Sequence, residues 1–295
     1  MPTDLESPVN FTAQKNTLEI SLECSSAVSL AFQQNAIPVL QELRIRNAGV
    51  DRGAMSVRIT AEPAFAEPHD IRLDSLATGE EFSAPLLDWK LNPAYLDDLT
   101  EKVRGQLRIE CLDGGQVVAS RLQEIFAMPR NEWCGADIFP VLLAAYVLPN
   151  DPAVVTVLDG AAQILREQGE GRSLDGYQSK SAKHVAAQVA AIHSAIVAMG
   201  IRYISPPASF ERAGQKVRFP SDIRDQRFGT CLDIALFFAA CCEQAGLHPL
   251  VLMHQGHAYA GCWLTEESLP EPAMDDLQMI RKRVELGEMI VWETT

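Results

Sequence analysis

The apolar residues of this chain recur with two different periods, and the change falls at Met128-Pro129. Alternation with period two lays side chains on one face of a strand, while recurrence at three and four residues makes the stripe of a helix. The two patterns call for two different layers of packing. The chain is therefore expected to fold as two units, 1–130 and 131–295, and its 295 residues suffice for each to bury its own core.

In the first unit Leu18, Ile20 and Leu22 alternate, as do Met55, Val57 and Ile59, and again Leu107, Ile109 and Cys111. Each run reads as a half-buried strand. Asp113-Gly114-Gly115 reads as a hairpin turn, and Asn47-Ala48-Gly49 and Ala77-Thr78-Gly79 as further turns. Short strands with regular turn signals and no convincing helix predict a β-sandwich, Ig-like by strand number. Nothing in this half looks catalytic.

In the second unit Asp151 is placed as an N-cap with Pro152 at the first helical position, and Gly169 as the stop after Gln168. A polar loop, GEGRSLDGYQSK, leads to a second helix marked by Val185, Val189, Ile192, Ile196 and Met199 and ended by Gly200. Ile201 to Ile204 looks extended, and Ser205 to Gly229 looks irregular and basic, with Arg212, Lys216, Arg218, Arg224 and Arg227. Acidic residues lie among these cations, which favours a solvated loop over a rim for an acidic substrate. A third helix runs from about Cys231 to Ala245, and two strand-like segments follow, Leu250 to Leu264 and EMIVWETT. Helices first and strands after give an α+β layout. The last strand has no turn or tail behind it, so the chain reads as a piece of a longer protein.

Composition limits the function. A net charge of -14 disfavours a sequence-independent grip on phosphate backbones, so no direct nucleic-acid binding is expected. The N-terminal MPTDLESPVN has no apolar signal segment, and no apolar run approaches the roughly 18–20 residues of a membrane span. Seven scattered cysteines are an odd number and form no disulfide framework. Reduced thiols in the cytoplasm are the expectation.

One of those thiols has a special position. Cys231 follows Gly229-Thr230 and opens the third helix, where the dipole and free backbone N–H groups favour a thiolate and could cradle an oxyanion. The alternative is a small buried hydrophobe, the reading that suits Cys241 and Cys242 deep in the same helix. A nucleophilic thiol needs a base, and His257 begins a strand-like segment. His254 competes with it; on one strand their odd offset puts them on opposite faces, so only one could face Cys231. The base needs an orienting group, and Glu293 emerges at the end of an apolar strand. Taken alone, Glu293 also fits a surface charge. A zinc site built from Cys231, His254 and His257 lacks both the HExxH pattern and any CxxC pair, so neither a metal nor another cofactor is expected.

GTCLDIALFFAACCEQAGLHPLVL, GHAYAGCWL and VWETT together resemble the transglutaminase-like superfamily of papain-fold cysteine enzymes. The resemblance places Cys231 on the nucleophile, His257 on the base and Glu293 on the acidic third member, and covers roughly the last 110 residues. The third member of that family is usually Asp, and an aromatic usually follows the histidine, where this chain has Ala258-Tyr259. IRYISPPASFERAGQKVRFP followed by RFGTCLDIALFFAAC is similar to the N-terminal region of large bacterial proteins with superfamily I helicase motifs and a nuclease-like C-terminus. That likeness implies a sandwich and then a transglutaminase-like module ahead of a motor in the same full-length chain. No GxxxxGK[ST] loop occurs here, so this chain itself is no ATPase.

The function expected is cysteine-dependent acyl transfer or amide hydrolysis on a protein or peptide, with Gln215 or Gln226 as a side-chain donor to the oxyanion. Hydrolysis is the default over transfer to an amine. The alternative is a catalytically silent interaction or regulatory module of a helicase-type protein.

Overall fold

The structure, a computed structural model, describes residues 18–85, 89–169 and 173–295. The stretch MPTDLESPVN and Glu170 to Arg172 of the polar loop lie outside the described residues. The architecture is mixed α+β with several sheets, divided into two compact units, Met1–Pro129 and Arg130–Thr295. Among the described residues no helix is long and apolar enough to cross a membrane.

The first unit contains β1 (Leu18–Cys24), β2 (Ala27–Val28), α1 (Leu30–Gln34), β3 (Leu40–Asn47), β4 (Met55–Glu62), β5 (His69–Leu73), β6 (Glu81–Pro85), α2 (Pro93–Asp97), β7 (Val103–Asp113) and β8 (Gln116–Ala127). Two sheets form, one in the order β1-β3-β6 and one in the order β2-β8-β7-β4-β5. The alternating runs are the cause: Val57, Ile59, Leu107 and Ile109 have no exposed surface, while Arg58 and Arg108 between them point outward. Gly114 and Gly115, both at positive φ, make the two-residue turn between β7 and β8. The short helices α1 and α2 depart from the all-strand expectation. Each is five residues long and is held by its surroundings, because so short a helix does not persist alone.

The second unit begins with β9 (Glu132–Trp133), a 3-10 turn over Pro140–Tyr146, α3 (Pro152–Glu167) and α4 (Ala182–Ala198). Asp151 caps α3 by accepting from the Ala153 N–H at 2.8 Å, with Pro152 in the first turn and Gly169 just past its end. Next come β10 (Arg202–Tyr203), α5 (Phe210–Ala213), β11 (Gln215–Lys216), α6 (Pro220–Gln226) and β12 (Phe228–Gly229), so the segment read as irregular is folded in short pieces. The chain then forms α7 (Cys231–Gln244), β13 (Pro249–His254), β14 (His257–Trp263), α8 (Leu277–Glu285) and β15 (Met289–Trp292).

The helix α7 is buried on all sides from Cys231 to Cys242, a stretch that is apolar on every face apart from Asp233. It packs against α3 and α4 and against the sheet β13-β14-β15. Phe237 and Phe238 sit at its centre, and each fully buried ring stabilises by roughly 2–3 kcal/mol. At its far end the Cys242 thiol lies beside that of Cys262 on β14. At its start Cys231 meets Ala258, also on β14. The helix and the strand therefore run side by side in the same direction, which brings the helix start and the strand start to one end of the unit.

Candidate active site

The segment Leu250 to Leu264, read as one strand, is a hairpin. Gln255 and Gly256, at φ 50° and 75°, form its two-residue turn, and His254 pairs directly with His257. Positive φ at both central positions is the turn that matches the twist of a hairpin. This overturns the placement of the two histidines on opposite faces. The chain reverses between them, so they are cross-strand neighbours sharing one face, with His254 exposed and His257 partly buried.

His257 and Glu293 come together. His257 Nε2 lies 2.8 Å and 2.9 Å from the two carboxylate oxygens of Glu293. The register explains the meeting: β15 ends with Trp292 opposite Ala260, so the next residue arrives beside Tyr259, on the face that holds His257. The Tyr259 ring stands edge-on to the imidazole with centroids 4.7 Å apart. Burial pushes the Glu293 carboxyl up, but hydrogen bonds from His257, from the Thr295 N–H and hydroxyl and from the Thr294 N–H outweigh it and hold it below its ordinary value. An ionised carboxylate only accepts, so Nε2 carries the ring proton and Nδ1 holds the free lone pair. Nδ1 has no hydrogen-bond partner among the described residues.

Cys231 is the first residue of α7, behind the N-cap Thr230. The backbone N–H groups of Ala258, Leu232 and Cys231 itself favour its thiolate, and Ala258 is the residue after His257. The β14–β15 pairing ends at Ala260 opposite Trp292, short of Ala258. The thiol makes no hydrogen bond to the imidazole among the described residues, and Cys231 has no exposed surface. The expectation of a lowered thiol pKa is not met. Burial pushes it above its ordinary value of 9.0, the three N–H groups oppose that rise without cancelling it, and the Asp233 carboxylate adds to it.

The two glutamine candidates part company. Gln226 is exposed at the end of α6. Gln215 is buried and donates from Nε2 to Thr230 Oγ1 at 2.9 Å, so one amide N–H is spent on the N-cap of α7. Its Oε1 is buried without a hydrogen-bond partner among the described residues. Gln215 is held there by β11 pairing with β9, a contact that admits only glycine at its edge: a Cβ on Gly214, whose φ is 82°, would fall 2.0 Å from the Trp133 carbonyl oxygen.

Three residues at this end of the unit escaped the reading of the sequence. Asp233 has no exposed surface and accepts from the Thr230 N–H at 2.9 Å, the Arg218 N–H at 2.9 Å and Arg218 Nη1 at 3.1 Å. Its signal was present, since Thr230-x-x-Asp233 is a capping-box pattern. Arg218, which also stacks over Phe228 at 4.7 Å, was hidden among the basic residues of its segment. Tyr203 pairs with Gly229 through the parallel β10–β12 contact. Partial burial, then Cys231 and Glu293 nearby, push its phenol up. No local pattern could have announced that neighbourhood.

Every cysteine is a free thiol, and among the described residues no group of three or more His, Cys, Asp or Glu side chains could hold a metal ion. Comparison with family models, with curated proteins and with solved structures finds no match for the chain.

Proposed function

We propose that the second unit is a transglutaminase-like, papain-type cysteine enzyme acting on an amide or other acyl group of a protein or peptide, behind an Ig-like sandwich. The arrangement would stand ahead of a helicase-type region in a longer bacterial, cytoplasmic protein. The observation that carries the reading is the Glu293–His257 hydrogen bond on Nε2 at the start of β14, with Cys231 opening α7 and favoured as a thiolate by the N–H of Ala258, the residue beside His257.

In this reading Cys231 keeps its proton at rest, because burial disfavours the thiolate. A substrate carbonyl entering at the start of α7 takes the sulfur as its nucleophile, while His257 Nδ1 removes the thiol proton. The S–C bond forms as the carbonyl π pair moves to oxygen, and backbone N–H groups at the helix start stabilise that oxyanion. Collapse expels the amine, which takes the proton back from His257. Water then attacks the thioester, its proton passing to the same nitrogen, and Cys231 leaves with a proton restored. Glu293 fixes the tautomer and carries the imidazolium formed in each half.

Alkylation of Cys231 by iodoacetamide, followed as a function of pH, tests this. General-base activation by His257 gives an inflection well below the thiol's own value, and His257→Ala removes it. A single inflection above 9.0 in both proteins, or an inert thiol, overturns the reading. One observation favours a second reading, a silent interaction module: the sulfur is wholly covered.

A further inference from the structure

The catalytic reading uses His257 and leaves its neighbour His254 without a task. On one continuous strand the two rings would face apart and share no ligand. The hairpin changes that. The strands β13 and β14 pair from Pro249 with Cys262 to His254 with His257, so the two histidines flank the turn as a directly opposed pair. Residues paired in this way carry their Cβ atoms about 5 Å apart on one face of the sheet. That spacing lets two imidazoles converge on one ion at nitrogen–metal distances of about 2 Å.

The order of the sheet decides which nitrogen of His257 is offered. The strand β14 lies between β13 and β15. Glu293, just past β15, and His254, the last residue of β13, therefore flank His257 from opposite sides. Glu293 takes Nε2, so Nδ1 faces away from the carboxylate, on the side where His254 stands. Solvent reaches the pair: the His257 side chain is 23% accessible and His254 is exposed. The His254 imidazole makes no hydrogen bond or ion pair among the described residues. A histidine that donates one ring N–H to a carboxylate and offers its other nitrogen has the arrangement that stands behind metal-ligating imidazoles. The carboxylate fixes the tautomer and makes the free nitrogen a better donor of its lone pair.

We propose that His254 and His257 form a two-imidazole site for a divalent ion of the zinc class, and that the bound ion silences the base of the Cys231 site. Nitrogen ligands select zinc and its transition-metal neighbours over magnesium and calcium, which take oxygen. Water completes the coordination. Two protein ligands at the surface make an exchangeable site, whereas closed structural zinc sites have four. A net charge of -14 favours the approach of a divalent cation. The ion holds the lone pair of Nδ1, so no proton can move to it. Binding stands on the hairpin geometry, and the silencing rests on the catalytic reading of His257.

Two measurements on the full chain decide the two parts. In the first, Cys231→Ala protein carrying isotope-labelled histidine is titrated with zinc chloride near neutral pH and followed by NMR. Saturable shifts of the His254 and His257 imidazole signals at one ion per chain, lost in H254A, support the site. E293Q is expected to weaken zinc binding about tenfold, the usual cost of losing a carboxylate behind a ligating imidazole. No shift of the two signals, saturation as tight in H254A, or an equal response to magnesium chloride overturns the site.

In the second, the rate of Cys231 alkylation by iodoacetamide in saturating zinc is divided by the rate without it, protein by protein. The ratio is expected to fall about 100-fold below unity in the wild type, the lower range of what a general base contributes. In H254A it returns to unity. A reactive thiol with a ratio of unity in the wild type overturns the silencing. So does an equal fall in H254A, which places the ion on the sulfur itself. A thiol inert without zinc overturns the catalytic reading and the silencing with it, and the titration still decides the site.

Discussion

Glu293 shows how a half-exposed carboxylate can still organise a site. Its side chain is 48% accessible, so water screens it, and the hydrogen bonds rather than Coulomb attraction in a dry pocket hold it ionised. The sign of its pH dependence follows. Its folded-state pKa lies below the ordinary 4.5, so the stability its contacts contribute is complete above that value. It is lost as pH falls through the lower folded value. Glu293→Gln should therefore lower Tm at neutral pH, and the gap should close in acid as the wild-type carboxyl itself takes a proton. Thermal unfolding of the two proteins from pH 3 to 7 measures this. A gap independent of pH would mean that the charge contributes nothing, and that the His257 contact is only one of shape.

At the scale of elements, the site depends on where α7 begins. Asp233 fixes that point by joining three donors from two loops to one carboxylate, with none of its surface in water. Asp233→Ala strands the Thr230 N–H and the partly buried Arg218, and should cost roughly 3 kcal/mol in urea unfolding followed by tryptophan emission. Asp233→Asn keeps one acceptor and should fall between. Equal stability of all three proteins would remove Asp233 from this role. The long elements were legible in the sequence because their ends carry chemistry: Asp151-Pro152 and Gly169 for α3, Gly200 after α4, and Gly229-Thr230 before α7. The hairpin was not, because Gln255-Gly256 is an unusual choice where Asn-Gly or Asp-Gly is the common signal. The helix α8 was missed although Leu277, Ile280 and Val284 recur at helical spacing, because it is only nine residues long and none of them is buried. The pieces between Ser205 and Gly229 are too short for any periodicity. At the site, Cys231 could be read from its place at a helix start. Glu293 as the orienting group of His257 stood beside a plain surface charge until the family resemblance favoured it, since a contact across 36 residues leaves no local pattern.

At the scale of the whole molecule, every group in the catalytic reading lies within one unit. Cys231, His257, Glu293, Gln215, Asp233 and Arg218 all fall within Arg130–Thr295. The apolar cluster beneath them does too, drawing on Val154 and Val157 of α3, Ile192 of α4, Phe237 of α7 and Ala260 of β14. A unit of this size buries enough apolar surface to fold by itself. Residues 130–295 expressed alone should therefore unfold cooperatively and alkylate at Cys231 with the rate and pH profile of the full chain. Residues 1–129 contribute two sheets of their own, and removing them should change neither property. A fragment that folds cooperatively but has a slower or displaced Cys231 profile would make the first unit part of the site. A fragment that fails to fold would show that the cores are not independent, and that the change of period at Met128-Pro129 marks two patterns within one cooperative body.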